Sequence, residues 1–318
     1  MRLIGVMLSV LFCVACLARG QDLATMSADA RLLDKVVTDY IVNAEQRDFP
    51  GYFFRLETED IREDIESDFY RVVGFRVSTD ATHDRFEYEG RRDFVPLLTH
   101  SFVFGRLKIE NRIWERNDIR RPGEIFEVTE PDSRKLKFDW NPFDCVFYEP
   151  ITLIEPTYKD VLPRLFVEGQ VIDLTKTEKG LTVTWQRKKY SYTKTFFSAE
   201  HGYMPTFFGV FTAKVDQATN ELSIGKLICA NVIEWKQHDK TWLPTKITSD
   251  SQYPKSSSKF ELCWIPAAKI KKDLFSTDDF RWSTTNVGLR LELDDAINTL
   301  EPSTIFEDVL DKKERQRK

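Results

Sequence analysis

At 318 residues the chain is long enough for one large or two small domains and for a substantial buried core. Its formal charge is −5, and lysine and arginine are scattered along it, which excludes the basic footprint of a nucleic-acid binder. Aromatic residues make up 13% of the chain, 24 of them Phe, a bias that favours strands over helices.

Residues 1–20 read as a secretory signal. Arg2 is followed by a largely apolar run from Leu3 to Leu17, then by Ala18-Arg19-Gly20, a small-x-small cleavage site ahead of Gln21. A bilayer span needs roughly 20 apolar residues, so cleavage after Gly20 is expected in preference to a spanning anchor. Val14-Ala15-Cys16 also resembles a lipobox, with Cys13 where Leu is usual. Lipid attachment at Cys16 is therefore the alternative processing. A mature chain keeps Cys145, Cys229 and Cys263, an odd number that leaves at least one thiol free. Cys229 and Cys263 fall in strand patterns and could be neighbours; buried, inert thiols are the other reading.

Ser27 to Ala44 predicts an amphipathic helix. Ser27 can cap it, and Leu33, Val36, Val37, Tyr40, Ile41 and Ala44 recur at helical spacing opposite Arg31, Lys35, Asp39 and Asn43. Strands begin at Phe53–Leu56. The carboxylate-rich stretch from Glu57 to Asp68 lacks the ordered ligand spacing of a calcium loop and reads as a solvated acidic turn. Phe69, Val73, Phe75 and Val77 then alternate, and further strand patterns follow at 85–91, 101–116, 124–130 and 134–139. Asn141 to Pro163 carries four prolines, which suggests a crossover or lid, and Thr157–Phe166 within or beside it could form a short helix.

The sheet resumes at Val167–Leu174, with Leu181, Val183 and Trp185 on one face. The stretch from Tyr190 to Thr248 organises the whole. Apolar residues alternate at Tyr190, Tyr192 and Phe196, at Phe207 and Phe211, and through Ile224, Ile228, Ala230 and Val232. Breaks fall at Glu200-His201-Gly202, Asp216–Asn220 and His238-Asp239-Lys240. Period-two runs between short polar turns are the signature of an antiparallel meander. Trp242-Leu243-Pro244 reads as a structural strand end, with Pro244 at an edge position. Phe260–Trp264 completes about eleven or twelve strands, and a charged tail closes the chain.

The fold class expected is mainly β with α: a curved antiparallel sheet, an unclosed barrel, packed on the N-terminal helix and a short crossover or lid helix. The expected organisation is a signal peptide at 1–20, one sheet domain at 21–275, and a partly disordered extension at 276–318.

No nucleophile elbow, zincin helix, phosphate loop or dinucleotide fingerprint occurs, so neither cofactor nor metal is expected. His83, His100, His201 and His238 are far apart, and most sit in turns. Phe196-Phe197 and Phe207-Phe208 place rings on both faces of their strands, as do Tyr190 and Tyr192 beside Trp185. Such a sheet is either covered twice or lines a cavity with its second face. Trp185, Tyr192, Phe196, Phe207, Phe211 and Trp235 are the candidate cavity residues.

The leader, the helix from Ser27 to Ala44, the turn Phe197-Ser-Ala-Glu-His-Gly-Tyr-Met-Pro205 and the later Glu234-Trp-Lys-Gln-His-Asp-Lys-Thr-Trp-Leu-Pro-Thr-Lys246 together resemble the LolA-like superfamily of exported lipid- and lipoprotein-binding proteins. The layout also resembles that of large secreted proteins of Planctomycetes-type bacteria. The resemblance covers about Ser27 to Ile270. It implies a non-enzymatic exported binding protein, periplasmic or extracellular, whose partner is an apolar ligand or a lipid-modified protein, with peripheral or no membrane association. The chain departs from the carrier pattern in its length, in the Asn141–Pro163 insert and in lacking a match for the lid-latching arginine. The competing readings are an extracellular hydrolase with dispersed catalytic carboxylates and a structural protein of the cell envelope.

Overall fold

The computed structural model describes residues 28–45, 48–61, 67–79, 82–94, 98–116, 125–128, 141–147, 170–188, 191–219, 222–252, 255–270 and 272–282. The leader with Cys16, the Thr157–Phe166 helix, the 134–139 strand and the tail from 283 onward lie outside these residues.

Among the described residues thirteen strands form one antiparallel sheet. They are β1 (Gly51–Ile61), β2 (Ser67–Ser78), β3 (His83–Phe94), β4 (Leu98–Ile109), β5 (Arg112–Arg116), β6 (Ile125–Val128), β7 (Gln170–Thr177), β8 (Gly180–Lys188), β9 (Ser191–Ser198), β10 (Met204–Val215), β11 (Leu222–His238), β12 (Thr241–Gln252) and β13 (Lys255–Ile265). The order is β6-β5-β4-β3-β2-β1-β13-β12-β11-β10-β9-β8-β7. Two meanders thus run outward from the central β1–β13 pair. The sheet is open, with β6 and β7 at its two edges.

The acidic stretch is not all turn. Glu57 to Ile61 continues β1, with Glu57 opposite Lys259 and Asp60 opposite Ser256. Glu57 and Lys259 make one opposite-charge cross-strand pair, while Glu59 and Asp60 face serines of β13. The Glu200-His201-Gly202 and His238-Asp239-Lys240 breaks are turns in which Gly202, Tyr203 and Asp239 hold left-handed backbone.

Helix α1 (Ala28–Ala44) buries the stripe read from the sequence: Leu33, Val36, Val37, Tyr40 and Ile41 are all in the core. The face of the sheet on which α1 lies is called the inner face below. Tyr40 packs its ring at 5.5 Å from Phe147 and 6.2 Å from Trp235, and its hydroxyl donates to Phe143 O at 2.8 Å. Phe143 and Phe147 belong to the segment around α2 (Pro142–Cys145), where the chain crosses from the β6 edge toward the β7 edge. The Asn141 side chain caps α2 by accepting from Phe143 N.

Asn43 ties α1 to β12: its amide donates to Trp242 O at 2.5 Å and accepts from Trp242 N at 2.8 Å. The Trp242 ring is half-buried against the core, over Gly202, where a Cβ would lie 2.6 Å from the indole Nε1. Trp242→Ala should therefore lower stability by about 2 kcal/mol. An unchanged urea midpoint would show that the ring contributes nothing. Pro244 lies outside the β12–β13 ladder, which begins at Lys246, so its missing N–H leaves no β13 acceptor unpaired.

The opposite, outer face is also covered in part. Lys272–Phe275 and α3 (Thr277–Trp282) fold back over β3 and β4, where Leu274 and Phe280 are buried. Gly105 makes room for them: a Cβ there would come within 2.8 Å of the Phe280 ring. Beneath Phe280 lies a buried charged triad, Arg85, Glu87 and Arg116. Glu87 accepts from Arg85 Nε at 2.6 Å and from Arg116 at 3.3 Å. Arg85 donates further to Leu274 O, and Arg116 to Phe280 O at 2.9 Å.

Candidate functional site

The strand register of β8–β11 sorts the sequence candidates onto two faces. Two rows cross the inner face: Val183–Thr195–Phe208–Asn231, and Trp185–Thr193–Val210–Cys229. Three rows cross the outer face: Phe196–Phe207–Val232, Lys194–Gly209–Ala230, and Tyr192–Phe211–Leu227. Trp185 and Trp235 are therefore inner residues, whereas Tyr192, Phe196, Phe207 and Phe211 are outer ones. The six do not line one space, because side chains one position apart on a strand leave opposite faces.

Trp235 is a tie between elements. Its indole donates to Pro205 O at 2.8 Å and its ring packs on Tyr40 and, at 6.0 Å, on Phe143. The described part of the proline-rich insert, Asn141 to Phe147, covers the inner face. Phe147 meets Phe208 at 5.4 Å and Asn231 Nδ2 donates to Val146 O at 2.9 Å. That segment lies on the side of the sheet away from Phe196, Phe207 and Phe211. Those outer rings are only half-buried. Phe207 and Phe211 lean over Gly209 from both sides; a Cβ there would stand 2.8 Å from one ring and 3.1 Å from the other.

The inner rows hold an anomaly. Trp185, Thr193 and Thr195 are 0%, 1% and 0% exposed, yet Trp185 Nε1, Thr193 Oγ1 and Thr195 Oγ1 have no hydrogen-bond partner among the described residues. Buried polar atoms are overwhelmingly satisfied, because an orphan costs about 1–3 kcal/mol. Here three orphans share one face: Trp185 stands directly opposite Thr193, and Thr195 is two residues further along β9. The indole can only donate, while each hydroxyl donates or accepts. No charged residue stands in either inner row, so the site suits a neutral oxygen rather than an anion. Sequence reading placed Trp185 in the candidate set but passed over Thr193 and Thr195. Threonine is common on strands, and nothing in their spacing marks them.

The features needed for other chemistry do not assemble among the described residues. His201 Nδ1 lies 3.0 Å from Ser198 Oγ, but within one turn; its ring rests at 5.5 Å from Trp242, and no carboxylate joins the pair. Cys145, Cys229 and Cys263 are buried, and none forms a disulfide. Cys229 and Cys263 are not neighbours, since β12 separates their strands. Burial pushes the Cys263 thiol up to about 12, which suppresses the thiolate. No group of three or more His, Cys, Asp or Glu side chains is placed to hold a metal among the described residues. No helix of the described residues is long and apolar enough to cross a membrane.

The chain is similar to a domain from Vibrio parahaemolyticus assigned to outer-membrane lipoprotein sorting, at 11% identity over 78% of this chain and 97% of that one, with a TM-score of 0.37. It is likewise similar to a LolA superfamily protein from Nitrosomonas europaea, at 10% identity over 76% and 98% of the two chains, with a TM-score of 0.35. A DUF1329 family protein from Desulfovibrio piger overlaps at 8% identity over 77% and 97%, with a TM-score of 0.35. No protein-family model matches the sequence, and no curated protein matches it.

Proposed function

We propose that this is an exported, non-enzymatic binding protein that holds an apolar ligand against the inner face of β8–β11. The ligand would lie between the sheet, curved into an unclosed barrel, and the elements packed on it. The observation that carries this reading is the set of three buried, unpartnered groups, Trp185 Nε1, Thr193 Oγ1 and Thr195 Oγ1, on one apolar face. A ligand with a long apolar body and one neutral acceptor oxygen, such as an acyl ester, would satisfy them. Its body would replace the apolar packing that covers them in the empty protein. The resemblance to the LolA-like superfamily implies the same class of ligand. Tyr192, Phe196, Phe207 and Phe211, on the far face, would not touch it.

The test uses the shape-matched Thr195→Val. If the hydroxyl serves only a ligand, its removal relieves an orphan, and the empty protein should gain about 1 kcal/mol in urea denaturation. The same substitution should weaken binding of a fluorescent acylglycerol ester about tenfold, with a smaller change for a matched hydrocarbon probe. A wild type that binds no acyl ester defeats the proposal. A Thr195→Val protein that is less stable but binds normally would give the hydroxyl a purely structural role.

A further inference from the structure

Beyond Thr212 and Ile228 the strands β10 and β11 run on without neighbouring strands among the described residues. Pairing of β9 with β10 ends at Ser191–Thr212, and that of β12 with β11 ends at Cys229–Ser251. The rest is a two-stranded hairpin, paired at Ala213–Ile224, Lys214–Ser223 and Val215–Leu222, and turned at Asp216. One face of it is wholly apolar: Phe211, Ala213 and Val215 beside Leu227, Ile224 and Leu222. The other carries Thr212, Lys214 and Ser223, with Lys226 exposed at the bulge.

Val215, Ile224 and Leu227 are 43%, 42% and 39% exposed, and Val232, beyond Ala230 on the same face, is 52% exposed. They make up half of the eight large apolar side chains that stand exposed among the described residues, and all four stand on the outer face of β10 and β11. An apolar patch on a projecting two-stranded element gains nothing from the fold and marks a docking face.

We propose that this hairpin docks the protein on the surface of an anionic lipid bilayer. Strand addition by a protein partner is opposed at its edges, where two register shifts break the ladder near Phe211 and where Lys214 and Lys226 stand. The face, by contrast, is left open. By sequence the hairpin carries Lys214 and Lys226 against Asp216 and Glu221, with the Asp216 carboxylate engaged locally by Ala218 N at 2.8 Å and Thr219 N at 3.3 Å. Lys194, also exposed, stands in the outer row between the Phe196–Phe207 and Tyr192–Phe211 rows. Lys194, Lys214 and Lys226 are thus three exposed cations on a chain whose formal charge is −5. Lysines beside aliphatic side chains suit lipid phosphates above an acyl boundary, the lysine stems reaching back to the headgroups. The free strand edges keep the hairpin at headgroup depth, because their backbone groups need water or headgroups as partners. The docking face is independent of the inner-face site.

Sedimentation with vesicles of equal parts phosphatidylglycerol and phosphatidylcholine tests this, using the protein as its host processes it. Wild type should bind these vesicles, bind phosphatidylcholine vesicles less, and be released by high salt. The double variant Ile224→Ser/Leu227→Ser should lose about tenfold in partitioning. Lys214→Gln/Lys226→Gln should lose about tenfold on the anionic vesicles alone. Val42→Ser, which removes an exposed apolar side chain on α1, should change nothing. Circular dichroism confirms the fold of each variant, and the lysine pair provides a readout should the apolar pair fail to fold. Absence of vesicle binding by wild type, or equal binding by wild type and both double variants, overturns the proposal. Self-association that Ile224→Ser/Leu227→Ser abolishes, without vesicle binding, would instead assign the face to a second copy of the chain.

Discussion

Glu87→Gln should cost about 3–5 kcal/mol of unfolding free energy, since removing one partner of a buried ion pair is strongly destabilising. Arg85, Glu87 and Arg116 are 0%, 2% and 2% exposed, and Glu87 is the one carboxylate of the triad. Its neutral amide would leave two guanidinium groups under Phe280, whose ring centroid lies 5.6 Å from one and 5.5 Å from the other. The two carbonyls that also accept from these arginines, Leu274 O and Phe280 O, belong to the covering segment. The damage should therefore extend to that cover. Urea denaturation gives the free energy, and faster proteolysis near α3 should accompany it. A loss below about 1 kcal/mol would show that water reaches the triad and solvates the arginines.

That triad marks the limit of what the sequence discloses. Arg85 and Glu87 sit on alternate positions of a strand, as they would on a solvated face. Only the return of residues 272–282 over β3 and β4 turns that face into an interior. A segment of eleven residues with two short helical turns carries no periodic signal strong enough to announce this. By contrast, the α1 stripe from Leu33 to Ile41 was legible, because a 3.6-residue repeat leaves one physical solution. The strands of the second meander were legible for the same kind of reason.

The two faces of those strands were half legible. That Phe196 and Phe197, and Phe207 and Phe208, serve different faces follows from period two, and the register bears this out. Which face meets α1 does not follow, because both carry rings. Ile224, Ile228 and Val232 read as one row, yet Ile228 packs toward the core while Ile224 and Val232 are exposed. The irregular pairing around Phe211 shifts the phase between them, and a bulge leaves no mark in composition. The orphan groups of Thr193 and Thr195 were invisible altogether, since an unsatisfied hydroxyl is a property of surroundings rather than of residue type.

Trp235→Ala should cost about 3–5 kcal/mol, the usual range for emptying a buried tryptophan site. The indole joins four parts of the molecule: β11, the β10 carbonyl of Pro205, α1 through Tyr40, and the crossover through Phe143. Its removal leaves a void among these rings and strips Pro205 O of its donor at 2.8 Å. Collapse is hindered because Phe143 is also held against Trp264 at 5.7 Å, and Tyr40 is anchored by its bond to Phe143 O. Trp235→Phe should cost less, keeping the ring but losing the hydrogen bond. Both values come from urea denaturation of the empty protein. Acyl ester binding, measured at a urea-free temperature where each variant remains folded, separates the structural role from a ligand contact. If Trp235→Phe leaves stability nearly intact while abolishing probe binding, Trp235 touches the ligand. If stability falls and the folded fraction binds normally, Trp235 instead braces the site, and ligand contact rests with Trp185, Thr193 and Thr195.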